Sequence, residues 1–351
     1  MGKHGKTRQK QPSVVTLQMV ADSVDLTPGT ISAVLNSAPS ARAIPAETKK
    51  RILAAAKKLN YRPNFFARSL RQQRTYTVGV IAEEIGDPYG AIVISGLEEY
   101  LREKGYFFLT VVHRHDAELL QRYFLLLQQR QIEGLITVDT ILEESPAVPT
   151  VAVAGHKKLR GVTNVILDQR QAVTLAFTHL QKLGHKHIAF LKGNPLSADA
   201  KSRWQAITEV AEEMGIEVDP DLTVQIDFED SSPHLGYPFT KRLLERGKPF
   251  TALFTYNDHS ALGSIRAFQE HGLRVPKDVS VVGFDDIPAA AYNMPSLTTV
   301  RQPLRRMGQV AAQTLVRRIE GWKAYPQEIA IEPEFVARES SGPAPAIQKT
   351  Q

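Results

Sequence analysis

Asn257 follows the apolar run TALFTY, Asp285 follows VSVVGF, and Arg203 stands in KSRWQAI. A guanidinium fork set against amide and carboxylate acceptors suits vicinal hydroxyls, so these three residue types point to a sugar or polyol held where strands end. Asn257 also stands where it would cap a following helix, and Asp285 where a turn would begin. Other chemistries lack their residues. His185 and His187 in GHKH have the spacing of one strand face, but no third ligand accompanies them and no metal site is expected. His115-Asp116 reads as a solvated cap at a helix start. The sequence has no GxSxG, no P-loop, no GxGxxG and no cysteine, so neither an enzyme nor a cofactor is expected.

Those positions need strands to carry them. From Thr77 apolar runs alternate with amphipathic stretches: VGVIA, helix 91–104, FFLTVV, helix 116–131, GLITV and TVAVA. After Asp168, given a structural or cleft role, the rhythm restarts with helix 170–183, HIAFLKG, helix 201–214, TVQID, helix 236–246, TALFTY, helix 258–271 and VSVVGF. Such alternation predicts parallel sheets covered on both faces, and the restart predicts two lobes.

A chain of 351 residues has room for a further small module. Its charge says where. Residues 1–75 carry 14 Lys/Arg against three acids, a net of +11, while residues 76–351 carry 29 against 34, a net of −5. A polyanion would be drawn to one end only. Leu17, Val20, Ala21 and Val24 have the spacing of a short helix capped by Thr16. Thr27-Pro28 is a cap with proline at the first helical position, opening a second helix through Ile31, Val34 and Leu35. A third, from about Ala46 to Leu59, turns Ile52, Ala55, Ala56 and Leu59 inward and Lys49, Lys50, Arg51, Lys57 and Lys58 outward. Three helices with a basic exterior predict a helix-turn-helix domain. No apolar stretch follows the basic start or approaches the length of a membrane span, so a cytoplasmic protein is expected.

The runs VTLQMVADSVDLTPGTISAVLN and IPAETKKRILAAAKKLNYRPNFFARSL resemble the DNA-binding head and hinge of the lactose-repressor (LacI/GalR) family. The likeness continues through HLQKLGHKHIAFLKG, FTYNDHSALGSIRAFQEHGLRVPKDVSVVGFDD and PSLTTVRQP, covering about residues 14–340. It implies a small all-α helix-turn-helix head plus an α/β bilobed body, periplasmic-binding-protein-like, with two parallel-sheet lobes joined by crossover segments. The second helix would lie in the major groove, where Pro28, Gly29 and Ala33 occupy positions that usually bear base-reading side chains. Readout would then rest on Thr30, Ser32, Asn36 and contact with thymine methyls, with Thr16 and Thr27 at the helix starts among the DNA-binding residues. Asn36 to Ile44 is about four residues longer than the common family version, which lengthens the loop between helices two and three. Asn64, Ala67, Arg68 and Leu70 resemble the hinge helix, Leu70 being the minor-groove wedge that kinks the duplex.

In the body, the resemblance matches Arg203 and Tyr89 to ligand-contacting positions, Tyr89 as a stacking aromatic, beside Asn257 and Asp285. Gly90 replaces a second common aromatic, and Ala154-Gly155-His156 stands where an acid is common. Trp204 would report ligand binding by its fluorescence. The implied function is a sequence-specific transcriptional regulator, a repressor by family default. It would work as a homodimer on double-stranded operator DNA, in the cytoplasm on the nucleoid, controlled by a small-molecule effector of the sugar class. The opposing reading is a sugar-binding transport component, which would have a signal peptide and lack the head. The expected divisions are a disordered basic tail at 1–13, the head at 14–61, hinge and linker at 62–75, the effector-binding and dimerisation body at 76–340, and a disordered tail at 341–351. The body's first lobe would comprise about 76–168 and 303–330, its second about 169–302 and 331–340. Helix 303–320, with Leu304, Met307, Val310 and Leu315 on one face, is expected to form part of the dimer interface, core packing within one subunit being the competing reading.

Overall fold

A computed structural model describes residues 15–36, 38–64, 69–70, 72–227 and 236–346. The expected tail at 1–13, and Ala67 and Arg68 of the hinge, lie outside the described residues. The chain divides into two units, Met1–Thr75 and Tyr76–Gln351.

In the first unit α1 (Leu17–Ser23) begins where Thr16 Oγ1 accepts the Met19 amide, and α2 (Pro28–Leu35) where Thr27 Oγ1 accepts the Thr30 amide. Each hydroxyl satisfies a backbone donor that the helix start leaves without an intrahelical partner. Asp25, at φ 55°, reverses the chain between them. Helix α3 (Ala46–Lys58) closes the core, in which Val20, Ala21, Ile31 and Ile52 are fully buried. The long connection before α3 is not an open loop. Pro39–Ala43 forms a 3-10 turn that puts Ala41 into this core.

The second unit holds two six-stranded sheets. Its strands are β1 (Thr77–Ala82), β2 (Phe107–Val112), β3 (Gly134–Val138), β4 (Thr150–Val153), β5 (Val162–Leu167), β6 (Ile188–Lys192), β7 (Thr223–Gln225), β8 (Ala252–Thr255), β9 (Ser280–Asp285), β10 (Thr298–Arg301), β11 (Glu328–Ile331) and β12 (Glu334–Val336). The first sheet, in order β11-β5-β4-β3-β1-β2, is wholly parallel. The second, β12-β10-β9-β8-β6-β7, is parallel except that β12 runs against β10. The chain passes between lobes after β5, after β10 and after β11. The helices between strands are α4 (Pro88–Glu103) and α5 (Ala117–Gln129) in the first lobe, and α6 (Gln169–Lys182), α7 (Ala200–Met214), α8 (Tyr237–Glu245), α9 (Asp258–Glu270) and α10 (Pro288–Tyr292) in the second. Helix α11 (Leu304–Ile319) returns to the first lobe.

Helices α4 and α11 touch backbone to backbone. A Cβ on Gly96 would lie 2.0 Å from the Arg305 carbonyl oxygen, and one on Gly308 2.1 Å from that of Val93. Leu304, Met307 and Leu315 of α11 are consequently buried in the first lobe's core, with Val310 half-buried against it, so this apolar face is core and not interface. Asp168 caps α6, its carboxylate accepting the Gln171 amide at 2.9 Å. The C-terminal segment also differs from expectation, because residues 341–344 are tied to the second lobe. His185 accepts the Thr251 hydroxyl at Nδ1 (2.9 Å) and donates from Nε2 to the Gly342 carbonyl (3.0 Å), and Ala344 donates to Leu183 O (2.8 Å). His185 of GHKH is therefore an internal clasp, while His187 is exposed.

Candidate functional site

The carboxyl ends of β1, β3, β6, β8 and β9 converge on a cavity of about 720 Å³ lined by both lobes. Tyr89, Arg203, Asn257 and Asp285, four residues singled out in the sequence, all line it. Tyr89 opens α4 and is 8% exposed, yet its phenol oxygen is buried without a partner among the described residues. Asn257 Oδ1 accepts from the Ser260 amide (2.9 Å) and hydroxyl (2.7 Å), so it caps α9 as well as facing the cavity. Asp285, at φ 113°, accepts from Gln302 Nε2 at 2.6 Å. Burial pushes its carboxyl well above the carboxylate range although the Arg203 charge pulls the other way.

Arg203 does not offer the open fork that its sequence position suggests. It is 2% exposed and its nitrogens are engaged: Nε with Gln169 Oε1 (3.1 Å), Nη1 with the Tyr256 carbonyl (2.6 Å) and Nη2 with Asp199 Oδ2 (3.5 Å). Its guanidinium lies 3.7 Å from the Phe284 ring centroid and 4.7 Å from that of Tyr256. It fixes the cavity wall. Trp204 points the other way, packing edge-on to Phe190 with Lys192 over its ring.

Sequence reasoning missed the acids. Glu83 and Asp139 directly follow β1 and β3, and Asp87 and Asp199 stand at the starts of α4 and α7. Glu83 is pushed up to about 7 by burial, its hydrogen bond with Asp139 opposing; burial and the Glu83 charge hold Asp139 well above the usual range. Several of these side chains cross between lobes. Asp139 accepts the Ala198 amide at 2.7 Å, Asp87 stands 3.8 Å from His259, and His156 donates to Asp199 at 2.5 Å with the Ser202 hydroxyl 3.1 Å away. Burial alone would lower the His156 pKa, but the bond to Asp199 and its charge raise it. The same pairing, with Arg203 adding, holds Asp199 below its ordinary value against burial. The signal that would have found Glu83 and Asp139 is placement just beyond a strand's carboxyl end, the same signal that marks Asn257 and Asp285.

On the first unit, Thr16 and Thr27 serve as caps. Thr30 Oγ1 contacts Thr27 Oγ1 at 2.9 Å, Pro28 is half-buried and Gly29 exposed. Ala33 packs partly against the core. Ser32 is turned inward at 7% exposure, and the Asn36 amide donates to its carbonyl (2.8 Å) and hydroxyl (3.1 Å). Both were expected to face bases; the α2 side chains turned outward are instead few and small. Arg42, Lys50, Lys57 and Lys58 of the same unit are exposed, Asn64 is exposed, and Leu70 is 80% exposed.

Two family descriptions match the chain: "Bacterial regulatory proteins, lacI family" over residues 16–64 and "Periplasmic binding protein-like domain" over residues 177–341. The HTH-type transcriptional repressor PurR of Haemophilus influenzae is 34% identical over 340 residues, covering 93% of this chain and 98% of the relative. Among solved structures, the lac repressor dimer bound to operator and the anti-inducer ONPF superposes with a TM-score of 0.84 at 26% identity, covering 93% and 99% of the two chains. The transcriptional regulator CelR in complex with cellobiose gives 0.68 at 28% identity, covering 93% and 100%.

Proposed function

Because the chain belongs to the lacI family of bacterial regulatory proteins, we propose that it is a homodimeric repressor whose two heads occupy half-sites of a palindromic operator and whose interlobe cavity takes a sugar or polyol effector. It acts in the cytoplasm, on the nucleoid. One observation carries the reading: a basic three-helix head and a two-lobed body with a cavity at its strand ends stand on the same chain. The heads reach successive major grooves about 34 Å apart. Gly29, Thr30 and Ala33 approach the bases, Thr16 and Thr27 lie at helix starts where phosphates are favoured, and Leu70 enters the minor groove. With so few hydrogen-bonding side chains on α2, specificity leans on the deformability of the central step.

Effector control follows from the lobes. Ligand contacts both lobes, shifts the equilibrium between their closed and open arrangements, and is thereby linked to operator affinity. The divisions fit this mechanism: a head to residue 61, a hinge and linker to residue 75, and an effector body beyond. Selection of duplexes from a randomised pool at about 0.15 M salt tests it, since phosphate-only binding is weak there. A palindrome is expected. Enrichment of none, with equal affinity for all duplexes, would overturn the specific-regulator reading.

A further inference from the structure

We propose that the interlobe cavity is built for a cationic ligand, a sugar or polyol carrying a protonated amine, and discriminates against its neutral and anionic counterparts. The inference rests on the reading of this cavity as the effector site.

The carboxyls and their partners lead to it. Arg203 is the one buried guanidinium among the described lining residues, and all its nitrogens are engaged by the wall. Arg114, at the rim, is exposed and pairs with Glu84 at 3.4 Å. Asp199 is answered by His156 and Arg203, and Asp87 by His259. Glu83 meets His115 at 2.5 Å on one side but faces the Asp139 carboxyl on the other. Among the described residues, the Asp285 carboxylate is met directly by the neutral Gln302 amide alone. Glu83 and Asp139 are hydrogen-bonded side by side, and two carboxyl oxygens share a hydrogen bond only when one of them carries a proton. An ammonium group set against the pair replaces that proton and lets both carboxyls ionise.

A second, independent observation points the same way. The Tyr89 phenol oxygen is buried and without a partner among the described residues, and its phenol sits within the fields of Asp199, Asp139 and Asp285. Gln302 Oε1, an atom that can only accept, is also buried and unpartnered on a side chain 3% exposed. A cavity furnished with acceptors wants a ligand that donates. An ammonium brings three donors and no acceptor. A neutral sugar can donate hydroxyls but brings no charge to offset the carboxylates; an acidic sugar adds to their repulsion.

The test is calorimetric titration of the full chain with matched probes: glucosamine, N-acetylglucosamine, glucose and glucuronate, and the corresponding galactose and mannose series. At least one amine is expected to bind about tenfold or more tightly than its neutral and acidic counterparts. Its heat should vary with buffer ionisation enthalpy in the sense of proton release. Asp139→Asn combined with Glu83→Gln should bring the amine down to the affinity of the neutral sugar. Equal or tighter binding of a neutral or acidic probe, or no binding by any amine, overturns the proposal. Binding of neutral sugars that is weakened by Tyr89→Phe and Asp285→Asn removes the cation and leaves the effector site standing. Ligand binding indifferent to both substitutions removes the site itself.

Discussion

Asp199→Asn tests the contact that joins the lobes beside the cavity. The carboxylate is 3% exposed and meets His156 at 2.5 Å from the first lobe and Arg203 at 3.5 Å from its own. Removing one partner of a buried ion pair costs about 3–5 kcal/mol, because the other charge stays buried. Here the loss is smaller: Arg203 keeps Gln169 and the Tyr256 carbonyl, and the asparagine oxygen can still accept one bond. About 2–3 kcal/mol is expected, a fall of roughly 3–5 °C in the melting temperature of a unit this size. The pH dependence is the sharper reading. The raised His156 pKa makes its contribution complete below the ordinary histidine value, and this is lost as pH rises through the folded value. The depressed Asp199 pKa makes its contribution complete above the ordinary carboxylate value, lost as pH falls through the folded value. Wild-type protein should therefore lose stability as pH rises from the ordinary histidine value through the raised His156 value, and Asp199→Asn should remove that part of the slope while the part from buried Glu83, at about 7, and Asp139 remains. Scanning calorimetry in pH steps reads both. A variant within about 0.5 kcal/mol of wild type that keeps the wild-type slope would refute the reasoning.

Gly308→Ala places a methyl 2.1 Å from the Val93 carbonyl oxygen, so α4 and α11 must separate; a loss of about 2–3 kcal/mol or more is expected, and an unchanged thermal midpoint would show that the contact yields freely. Leu70→Ala removes an apolar side chain that is 80% exposed and should cost little stability. It should weaken specific operator binding by about tenfold or more while salt-sensitive binding to arbitrary duplex persists, and equal loss of both would sink the wedge.

What was legible in the sequence was whatever is written locally. Thr16 and Thr27-Pro28 mark helix starts because caps are chemistry between residues three apart. The alternation of apolar runs with amphipathic stretches marks most strands of both sheets for the same reason. β5 and β10 were not distinguished as strands. VTNVIL carries a polar Asn164 and TTVR is half threonine, yet each is largely buried once flanked by neighbours in its sheet. The C-terminal segment looks structureless because its bonds go to His185, Ser280 and Leu183, more than 60 residues away. The short 3-10 turn at Pro39–Ala43 was read as loop because one buried alanine leaves no periodicity.

The cavity shows the same division more sharply. Asn257 and Asp285 stand out because each ends an unmistakable apolar run. Glu83 and Asp139 end equally apolar runs, but a lone acid after a strand is ordinary until its partner is known, and 56 positions separate these two. Their chemistry is created by the order β3-β1 in the first sheet, which sets the two strand ends side by side. Arg203 shows the converse. Its type suggests a ligand fork, but folding surrounds it with Gln169, Asp199 and Tyr256 and makes it part of the wall. The strand ends fix where the cavity lies, the carboxyls beyond them set the charge of its walls, and His156 of one lobe reaches Asp199 of the other.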